Sequence, residues 1–223
     1  MTSPVGLVIV SHSRKLAEGV VELAAQMAPG VPLEAAGGMP DGGIGTDYAA
    51  VSEAVTRADG GAGVVLLFDL GSAQMTADMV VETLEDPAKA VVAQAPLVEG
   101  AVAAAVAAAG GADLAAVAAA AEGGEAPEAA AVPAGRSAEA EIVLANDVGL
   151  HARPAALLAR SLTGLSADVT VRFGDKHADG RSVLALLGLT ARKGDRLLIT
   201  ARGDQADEAV ARIKKLADEN FAE

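Results

Sequence analysis

Residues 5–15 are VGLVIVSHSRK, a nearly continuous apolar run that ends at Ser11 and His12. A short apolar run of this kind predicts a strand buried on both faces of a parallel sheet. The next stretch, from Arg14 to Met27, has helical spacing. Four of its side chains are predicted to share the buried face: Leu16, Val20, Leu23 and Met27. The chain therefore opens as a strand followed at once by a helix.

The same alternation continues to residue 121. In chain order it predicts a strand near Val31–Ala35, a glycine-rich loop, a helix over 47–58, a strand at Gly63–Phe68, and a helix containing Met75, Met79 and Leu84. Residues 97–121 are mostly alanine, the best helix former, and predict helices interrupted at Gly110-Gly111. Strands alternating with helices indicate an α/β domain with a mostly parallel sheet and flanking helices.

Residues 138–223 have a different pattern. Strands are predicted at Glu139–Ala145, Asp168–Phe173 and Arg196–Ala201, helices at Ala152–Leu162, Val183–Leu189 and Gln205–Asn220, and a turn at Asp179-Gly180. Counting a further strand before that turn, the order β-α-β-β-α-β-α predicts an α+β domain. It would be an open-faced sandwich, with one antiparallel sheet and helices on one face.

Between these parts, residues 122–137 are EGGEAPEAAAVPAGRS, which has no hydrophobic periodicity and predicts a flexible linker. We therefore predict two domains, 1–121 and 138–223. Their charges differ, with 4 basic and 14 acidic residues in the first against 12 and 13 in the second. Such asymmetry indicates separate units with different partners.

Composition excludes several classes of function. The net charge of −13 over 223 residues argues against a nucleic-acid partner, since such binding depends on Lys and Arg at phosphates. The absence of cysteine excludes disulfides, thiolate metal sites and cysteine catalysis. The first residues have neither the basic start nor the long apolar stretch of a secretory signal, so we predict a cytoplasmic protein without a membrane partner.

His12 lies where a ligand is expected, because open α/β sheets bind ligands at the carboxyl ends of their strands. The loop Gly43–Asp47 and the turn Asp69–Ser72, which includes Gly71, follow strands or lead into helices. We therefore expect His12, Thr46, Asp69 and Ser72 to converge on one pocket. Structural interpretations remain open: Thr46 and Ser72 as helix N-caps, Asp69 as a turn residue, and His12 as a capping or packing histidine.

His151 stands in GLHARPAALLA, where Pro154 marks the start of a helix. This places the imidazole near free backbone N–H groups, with Arg153 as a charge-assisted donor to an anion. Imidazole is nucleophilic near neutral pH, so His151 is a candidate carrier of a phosphoryl group. The alternative is a capping histidine beside a surface arginine. The third histidine, His177, is predicted to be a solvated loop residue.

No other chemistry is indicated. The three histidines are dispersed, which predicts no metal site, and neither a Walker A motif nor GxGxxG after a strand is present. We therefore expect no permanently bound cofactor. Two isolated histidines at helix starts favour a relay over catalysis on a bound small molecule.

Both domains resemble families of the phosphotransferase system. Residues 138–223 resemble the histidine-containing phosphocarrier protein (HPr), through NDVGLHARPAALLA and GRSVLALLGL. Residues 1–121 resemble the mannose-family enzyme IIA fold, and within it the phosphotransferase subunit of phosphoenolpyruvate-dependent dihydroxyacetone kinase. The motifs that carry this second resemblance are LVIVSHSRKLAEGV, GIGTD, DLGSAQM and APLVEGA.

The resemblance implies a phosphoryl relay. Enzyme I, charged by phosphoenolpyruvate as ultimate donor, would phosphorylate His151 on Nδ1, and His151 would pass the group to Nε2 of His12. His12 would then phosphorylate ADP on the nucleotide-binding subunit of the kinase, while another subunit binds dihydroxyacetone. Some longer relatives carry an enzyme I-like domain, and this sequence ends at Glu223 without one, which implies a separate enzyme I. Related IIA domains also imply a homodimer through the N-terminal domain.

The resemblance also implies individual roles. Arg153, beside His151, corresponds to the family's phosphate-assisting arginine. Beside His12, the expected phosphate-stabilising residues are Thr46, Asp69, Gly71 and Ser72, and that expectation follows from their positions in the sequence. Ser182 corresponds to a serine that a regulatory kinase modifies in some HPr proteins, although a plain helix N-cap is the favoured interpretation.

Two alternative functions remain open: an enzyme IIA component for a mannose-type sugar permease, and a regulatory module recognised by its phosphorylation state. Fusion to a phosphocarrier domain and the PLVEGA segment disfavour the permease component.

Overall fold

The computed structural model describes residues 3–123 and 136–222 of the chain. The chain divides into two compact units, residues 1–124 and 125–223. Most of the predicted linker 122–137 lies outside the described residues, so its flexibility stays a prediction.

Among its described residues, the N-terminal unit contains four strands, five α-helices and a short 3-10 helix at Pro87–Lys89. In chain order the strands and α-helices are β1 (Gly6–Ser11), α1 (Arg14–Met27), β2 (Leu33–Gly37), α2 (Tyr48–Ala58), β3 (Val64–Phe68), α3 (Gly71–Glu82), β4 (Ala90–Ala93), α4 (Leu97–Ala109) and α5 (Leu114–Ala121). The strands form one parallel sheet in the order β2-β1-β3-β4. This arrangement confirms the predicted α/β class.

Strand β1 is buried along its whole length because helices cover both faces of the sheet. Leu7 and Ile9 pack into the core that includes α1, α4 and α5. Val8 and Val10, which point the other way, pack with α2 and α3. A strand between two apolar layers needs no polar face, which explains the continuous apolar run.

Helix α1 has the predicted bounds, but its buried face is turned by one residue. The side chains that it buries are Ala17, Val20, Ala24 and Met27. Leu16 is 41% exposed, so its prediction as a core residue was wrong. The small alanines face the sheet because α1 and β2 pack closely, as shown by Gly37, where an added Cβ would lie 3.0 Å from the Ala17 Cβ.

Three further details depart from the sequence predictions. Strand β2 begins at Leu33, two residues later than expected, and α3 ends before Leu84. Strand β4, only four residues long, was not predicted, and it forms the edge of the sheet beside β3.

The C-terminal unit is an antiparallel sheet covered by helices. Its elements are β5 (Ser137–Val143), α6 (Ala152–Ser161), β6 (Asp168–Phe173), β7 (Lys176–Asp179), α7 (Val183–Gly188), β8 (Arg196–Arg202) and α8 (Ala206–Asp218). The strand order is β5-β8-β6-β7. In β6 the buried Val169 and Val171 alternate with exposed residues, as expected for a sheet with one solvated face. The predicted α+β class is confirmed.

His177 does not lie in a loop. It belongs to β7 and pairs with Arg172 of β6, with its side chain exposed. The hairpin turn is at Gly174-Asp175, and Gly174 has a φ of +58°, which glycine adopts without strain. The turn at Asp179-Gly180 follows β7 and is closed by a bond from Ser182 N–H to the Asp179 carbonyl.

None of the helices within the described parts of the chain is both long enough and apolar enough to cross a bilayer.

Candidate functional site

The first candidate site lies at the carboxyl end of the parallel sheet. His12 directly follows β1, Asp69 directly follows the neighbouring strand β3, and Ser72 lies in the first turn of α3. The His12 Nδ1 is 2.9 Å from Asp69 Oδ1, and the His12 Nε2 is 2.7 Å from Ser72 Oγ. The structure thus brings His12 together with two other predicted residues, Asp69 and Ser72, which are 57 and 60 positions away in sequence.

Asp69 is held by four hydrogen bonds. Its Oδ1 accepts from the His12 ring and from the Leu70 N–H, 2.8 Å away. Its Oδ2 accepts from the His12 N–H and from the hydroxyl of Ser11, each at 2.9 Å. Ser11 is fully buried. A carboxylate fixed on both oxygens cannot rotate away, so it also fixes the plane of the imidazole.

This contact determines the tautomer of His12. An ionised carboxylate can only accept, so Nδ1 must carry the proton and donate it to Asp69. In the neutral ring Nε2 then bears the lone pair and accepts from the Ser72 hydroxyl. Because Nδ1 is bonded to Asp69, Nε2 is the nitrogen available as a nucleophile, on a side chain that is 20% exposed.

The electrostatics keep Asp69 ionised. Burial favours the neutral acid and would raise the pKa of Asp69, but hydrogen bonds from the His12 side chain and backbone and from Ser11 outweigh it. The pKa of Asp69 is therefore below its ordinary value. An ionised carboxylate beside Nδ1 stabilises positive charge on the ring, as happens when Nε2 acquires a substituent.

The start of α3 offers a place for an anion. The first N–H groups of a helix have no acceptor within it, and the helix dipole favours negative charge there. Ser72 and Gly71 belong to this first turn. A Cβ added to Gly71 would meet no atom within 4 Å, so there is open space beside this backbone. A phosphoryl group on His12 would lie near these donors.

Thr46 contacts the site indirectly. Its hydroxyl is 3.0 Å from that of Thr76, which donates to the Ser72 carbonyl at 3.2 Å. The neighbouring Gly45 N–H bonds the His12 carbonyl at 2.9 Å. The loop before α2 is therefore fastened both to His12 and to α3. Thr76 was not predicted from the sequence, because its local signal is only that of a polar residue on a buried helix face.

The interpretation of Thr46, Ser72 and His12 as helix caps is wrong. The N-cap of α2 is Asp47 rather than Thr46, and that of α3 is Leu70 rather than Ser72. His12 does not cap α1 either, because Ser13 occupies that position and accepts from the Leu16 N–H.

The second candidate site is in the C-terminal unit. His151 is the N-cap of α6, with extended backbone angles and an exposed ring that makes no capping hydrogen bond. Its own N–H donates to the Gly149 carbonyl at 3.0 Å, and its carbonyl accepts from Ala155 N–H at 2.9 Å. The backbone is therefore fixed while the imidazole faces solvent at a helix N-terminus.

The residues around His151 occupy the predicted positions. Arg153 and Pro154 are the second and third residues of α6, and Arg153 is exposed. Proline has no backbone N–H, but Pro154 costs no hydrogen bond there, because an N–H in the first turn of a helix has no acceptor within the helix. Ser182 is the N-cap of α7 and accepts from the Ala185 N–H at 3.2 Å, so the capping interpretation of Ser182 holds structurally.

Two family models match the chain. The model of the PTS system fructose IIA component covers residues 6–118, and that of the PTS HPr component phosphorylation site covers residues 138–219. The first match contains His12 and the second contains His151. The fold and the family models together define a two-part protein of the phosphotransferase system.

Similar proteins identify the family within the phosphotransferase system. The chain is 35% identical over 241 residues to the phosphoryl donor subunit DhaM of PEP-dependent dihydroxyacetone kinase from Providencia stuartii, covering 98% of this chain and 50% of that protein. It is 40% identical over 105 residues to the corresponding subunit of kinase 1 from Listeria innocua, covering 47% of this chain and 82% of that one. The chain belongs to this family of phosphoryl donor subunits.

The chain spans about half the length of the curated relatives that it matches over nearly all of its own residues. Among solved structures, an HPr from Thermoanaerobacter tengcongensis is 30% identical and is covered to 97%, which corresponds to 39% of this chain, at a TM-score of 0.38.

Proposed function

We propose that this chain is a phosphoryl relay, in which enzyme I phosphorylates His151, His151 phosphorylates His12, and His12 phosphorylates ADP on the nucleotide-binding subunit of a dihydroxyacetone kinase. Phosphoenolpyruvate is the ultimate donor, and the chain holds no cofactor permanently. The observation that carries the proposal is the His12 imidazole, whose Nδ1 is bonded to Asp69 and whose Nε2, bonded to the Ser72 hydroxyl, lies at the N-terminus of α3. The DhaM relatives support the identity of the acceptor kinase.

In the first transfer, a ring nitrogen of His151 attacks the phosphorus carried by enzyme I. The N–P bond forms as the bond to the donor breaks. The resemblance to HPr supports Nδ1 as this nitrogen. The N-terminal amides of α6 and the guanidinium of Arg153 donate to the phosphoryl oxygens.

In the second transfer, the lone pair of His12 Nε2 attacks the same phosphorus. The new N–P bond forms while the bond to His151 breaks, and the electron pair returns to the His151 ring. His12 becomes cationic because Nδ1 keeps its proton, and the adjacent Asp69 stabilises that charge. Ser72, released from Nε2, donates its hydroxyl to the phosphoryl group together with the first amides of α3.

In the third transfer, a terminal phosphate oxygen of ADP attacks the phosphorus on His12. The Nε2–P bond breaks, ATP forms, and the ring returns to its neutral state beside Asp69. The bound ATP then phosphorylates dihydroxyacetone on the kinase. The partners of this chain are therefore enzyme I and the two kinase subunits. The resemblance to IIA domains also supports a homodimer through the N-terminal unit, which light scattering of the purified chain tests.

The decisive experiment is reconstitution with enzyme I, phosphoenolpyruvate and both kinase subunits, following dihydroxyacetone phosphate. His12→Ala should abolish product while His151 still takes label from radioactive phosphoenolpyruvate. His151→Ala should prevent labelling of the chain. The matched control is His177→Ala, an exposed histidine on β7, which should behave as wild type. Normal kinase turnover with His12→Ala would show that the assigned order is wrong.

A further inference from the structure

Buried polar side chains are rare among the described residues, and one of them points to a further functional residue. Over the described ranges 3–123 and 136–222, the buried polar side chains are those of Ser11, Thr76 and Asn146. The first two belong to the His12 site, where they hold Asp69 and the loop before α2. Asn146, 3% exposed, lies in the segment that leads from β5 to His151.

Asn146 fixes the backbone acceptor on which His151 depends. Its Nδ2 donates to the Gly149 carbonyl at 2.8 Å. The same carbonyl accepts from the His151 N–H at 3.0 Å. The Gly149 N–H also approaches the Asn146 carbonyl, at 3.4 Å. The side chain thus closes a turn whose last member is the histidine, and it holds that turn from the protein interior.

The opposite side of this turn is already immobilised. Gly149 has a φ of +69°, and an added Cβ would lie 2.6 Å from the Ala191 carbonyl oxygen and from the Arg192 Cα. The Leu150 N–H donates to that same Ala191 carbonyl at 2.9 Å. The backbone at Gly149 therefore packs closely against residues 191–192. The hydrogen bond from Asn146 then determines the direction of the Gly149 carbonyl.

The amide is not explained by stability alone. Its Oδ1 is buried and has no hydrogen-bond partner, a condition found for no other side-chain atom in the described part of the chain. A buried polar atom without a partner costs free energy, which an apolar residue of similar size would avoid. Asn146 thus leaves its Oδ1 without a partner, while its Nδ2 donates to the Gly149 carbonyl near His151.

We propose that Asn146 is a positioning residue for phosphoryl transfer at His151, acting through the Gly149 carbonyl. Because the His151 ring makes no capping hydrogen bond, its direction follows from the backbone at the N-cap. Loss of the amide frees the carbonyl and lets the imidazole depart from the line of attack. This role rests on the proposed function, in which His151 accepts a phosphoryl group.

The test uses the full chain with His12→Ala as parent, so that only His151 takes label. Asn146→Ala and Asn146→Asp are compared with Gln205→Ala, which removes another side-chain amide bonded to a loop backbone, at Ser166 N–H. Labelling by enzyme I and radioactive phosphoenolpyruvate is followed by rapid quench in alkali, and Tm is measured for each variant. Asn146→Ala should slow labelling by about tenfold to a hundredfold, as misplacement of a reacting group does. Gln205→Ala should label at the parent rate.

Asn146→Asp gives a signature that a merely structural role lacks. An ionised carboxylate would oppose the Gly149 carbonyl, whereas the protonated acid can donate to it. Burial raises the pKa of such an acid. The labelling rate relative to the parent at the same pH should therefore rise as pH falls from about 8 to about 5.

The outcomes separate the two proposals. A parent that takes no label overturns the proposed function and the role of Asn146 with it. A parent that labels normally, while Asn146→Ala stays within twofold of it or the Asn146→Asp ratio is flat with pH, overturns the role of Asn146 alone.

Discussion

Replacing Asp69 with asparagine should slow phosphoryl transfer to His12 without unfolding the domain. The amide has the shape of the carboxylate but lacks its charge, and it offers one acceptor atom where the carboxylate offers two. Four donors point at this side chain, from Ser11, His12 (twice) and Leu70. In either orientation the new NH₂ group faces at least one donor.

Each orientation of the amide harms the site in a different way. If the oxygen faces His12 Nδ1, the tautomer is kept, but the developing charge on the ring loses its carboxylate. If the nitrogen faces Nδ1, the ring must accept there and carry its proton on Nε2, which removes the nucleophilic lone pair. A hydrogen bond involving a charged group contributes about 1.5–3 kcal/mol. The transfer rate should therefore fall by roughly 10- to 150-fold.

The assay follows where the label is held. The full chain is charged by enzyme I and radioactive phosphoenolpyruvate, quenched in alkali at timed intervals, and digested with trypsin. Peptide 1–14 contains His12, and peptide 137–160 contains His151. Asp69→Asn should leave the label on the second peptide while its appearance on the first is delayed.

The control is Asp113→Asn, which changes a carboxylate that caps α5 through the Ala116 N–H. Asparagine is also a good N-cap, so this variant should transfer at the wild-type rate. A rate for Asp69→Asn within threefold of wild type would refute the argument. It would mean that neither the charge of Asp69 nor the tautomer it imposes limits transfer.

Three other predictions concern different parts of the relay. Arg153→Ala should slow labelling of His151 by about ten- to a hundredfold in rapid quench, which corresponds to the loss of one charge-assisted hydrogen bond. Arg153→Lys should recover only part of the wild-type rate, because a point charge lacks the planar guanidinium. A rate for Arg153→Ala within twofold of wild type would make Arg153 an ordinary surface residue. If residues 122–137 are a flexible linker with an r.m.s. span of about 20–24 Å, cutting at Pro133 should leave transfer intact but concentration-dependent, and loss of transfer even at high concentration of both halves would contradict this. Because the pKa of Asp69 is lowered in the folded state, its stabilising contribution is present above about pH 4 and is lost as pH falls through the lowered pKa. In urea unfolding, Asp69→Asn should accordingly lose less stability below about pH 4 than wild type does. Equal acid sensitivity of the two proteins would show that the lowered pKa of Asp69 does not cause this loss.

Local patterns were enough to define most elements of the fold. Helix α1 spans Arg14–Met27 and β6 spans Asp168–Phe173, as predicted. Pro154 was enough to place His151 at a helix start, since proline is favoured only in the first turn. These features depend on residues within a few positions of one another, so the sequence alone determines them. Strand β4 escaped prediction because four small residues carry little periodicity.

Tertiary structure decided which residues meet at each site. The sequence could place His12 and Asp69 at strand ends, but only the pairing of β1 with β3 puts the carboxylate on Nδ1 and so selects Nε2. The same holds for Thr76, which reaches Thr46 across 30 positions. The buried face of α1 and the strand position of His177 likewise depend on distant partners. Hydrogen bonds and packing between segments far apart in the chain leave no local periodicity, and for that reason the geometry of the site required the folded structure.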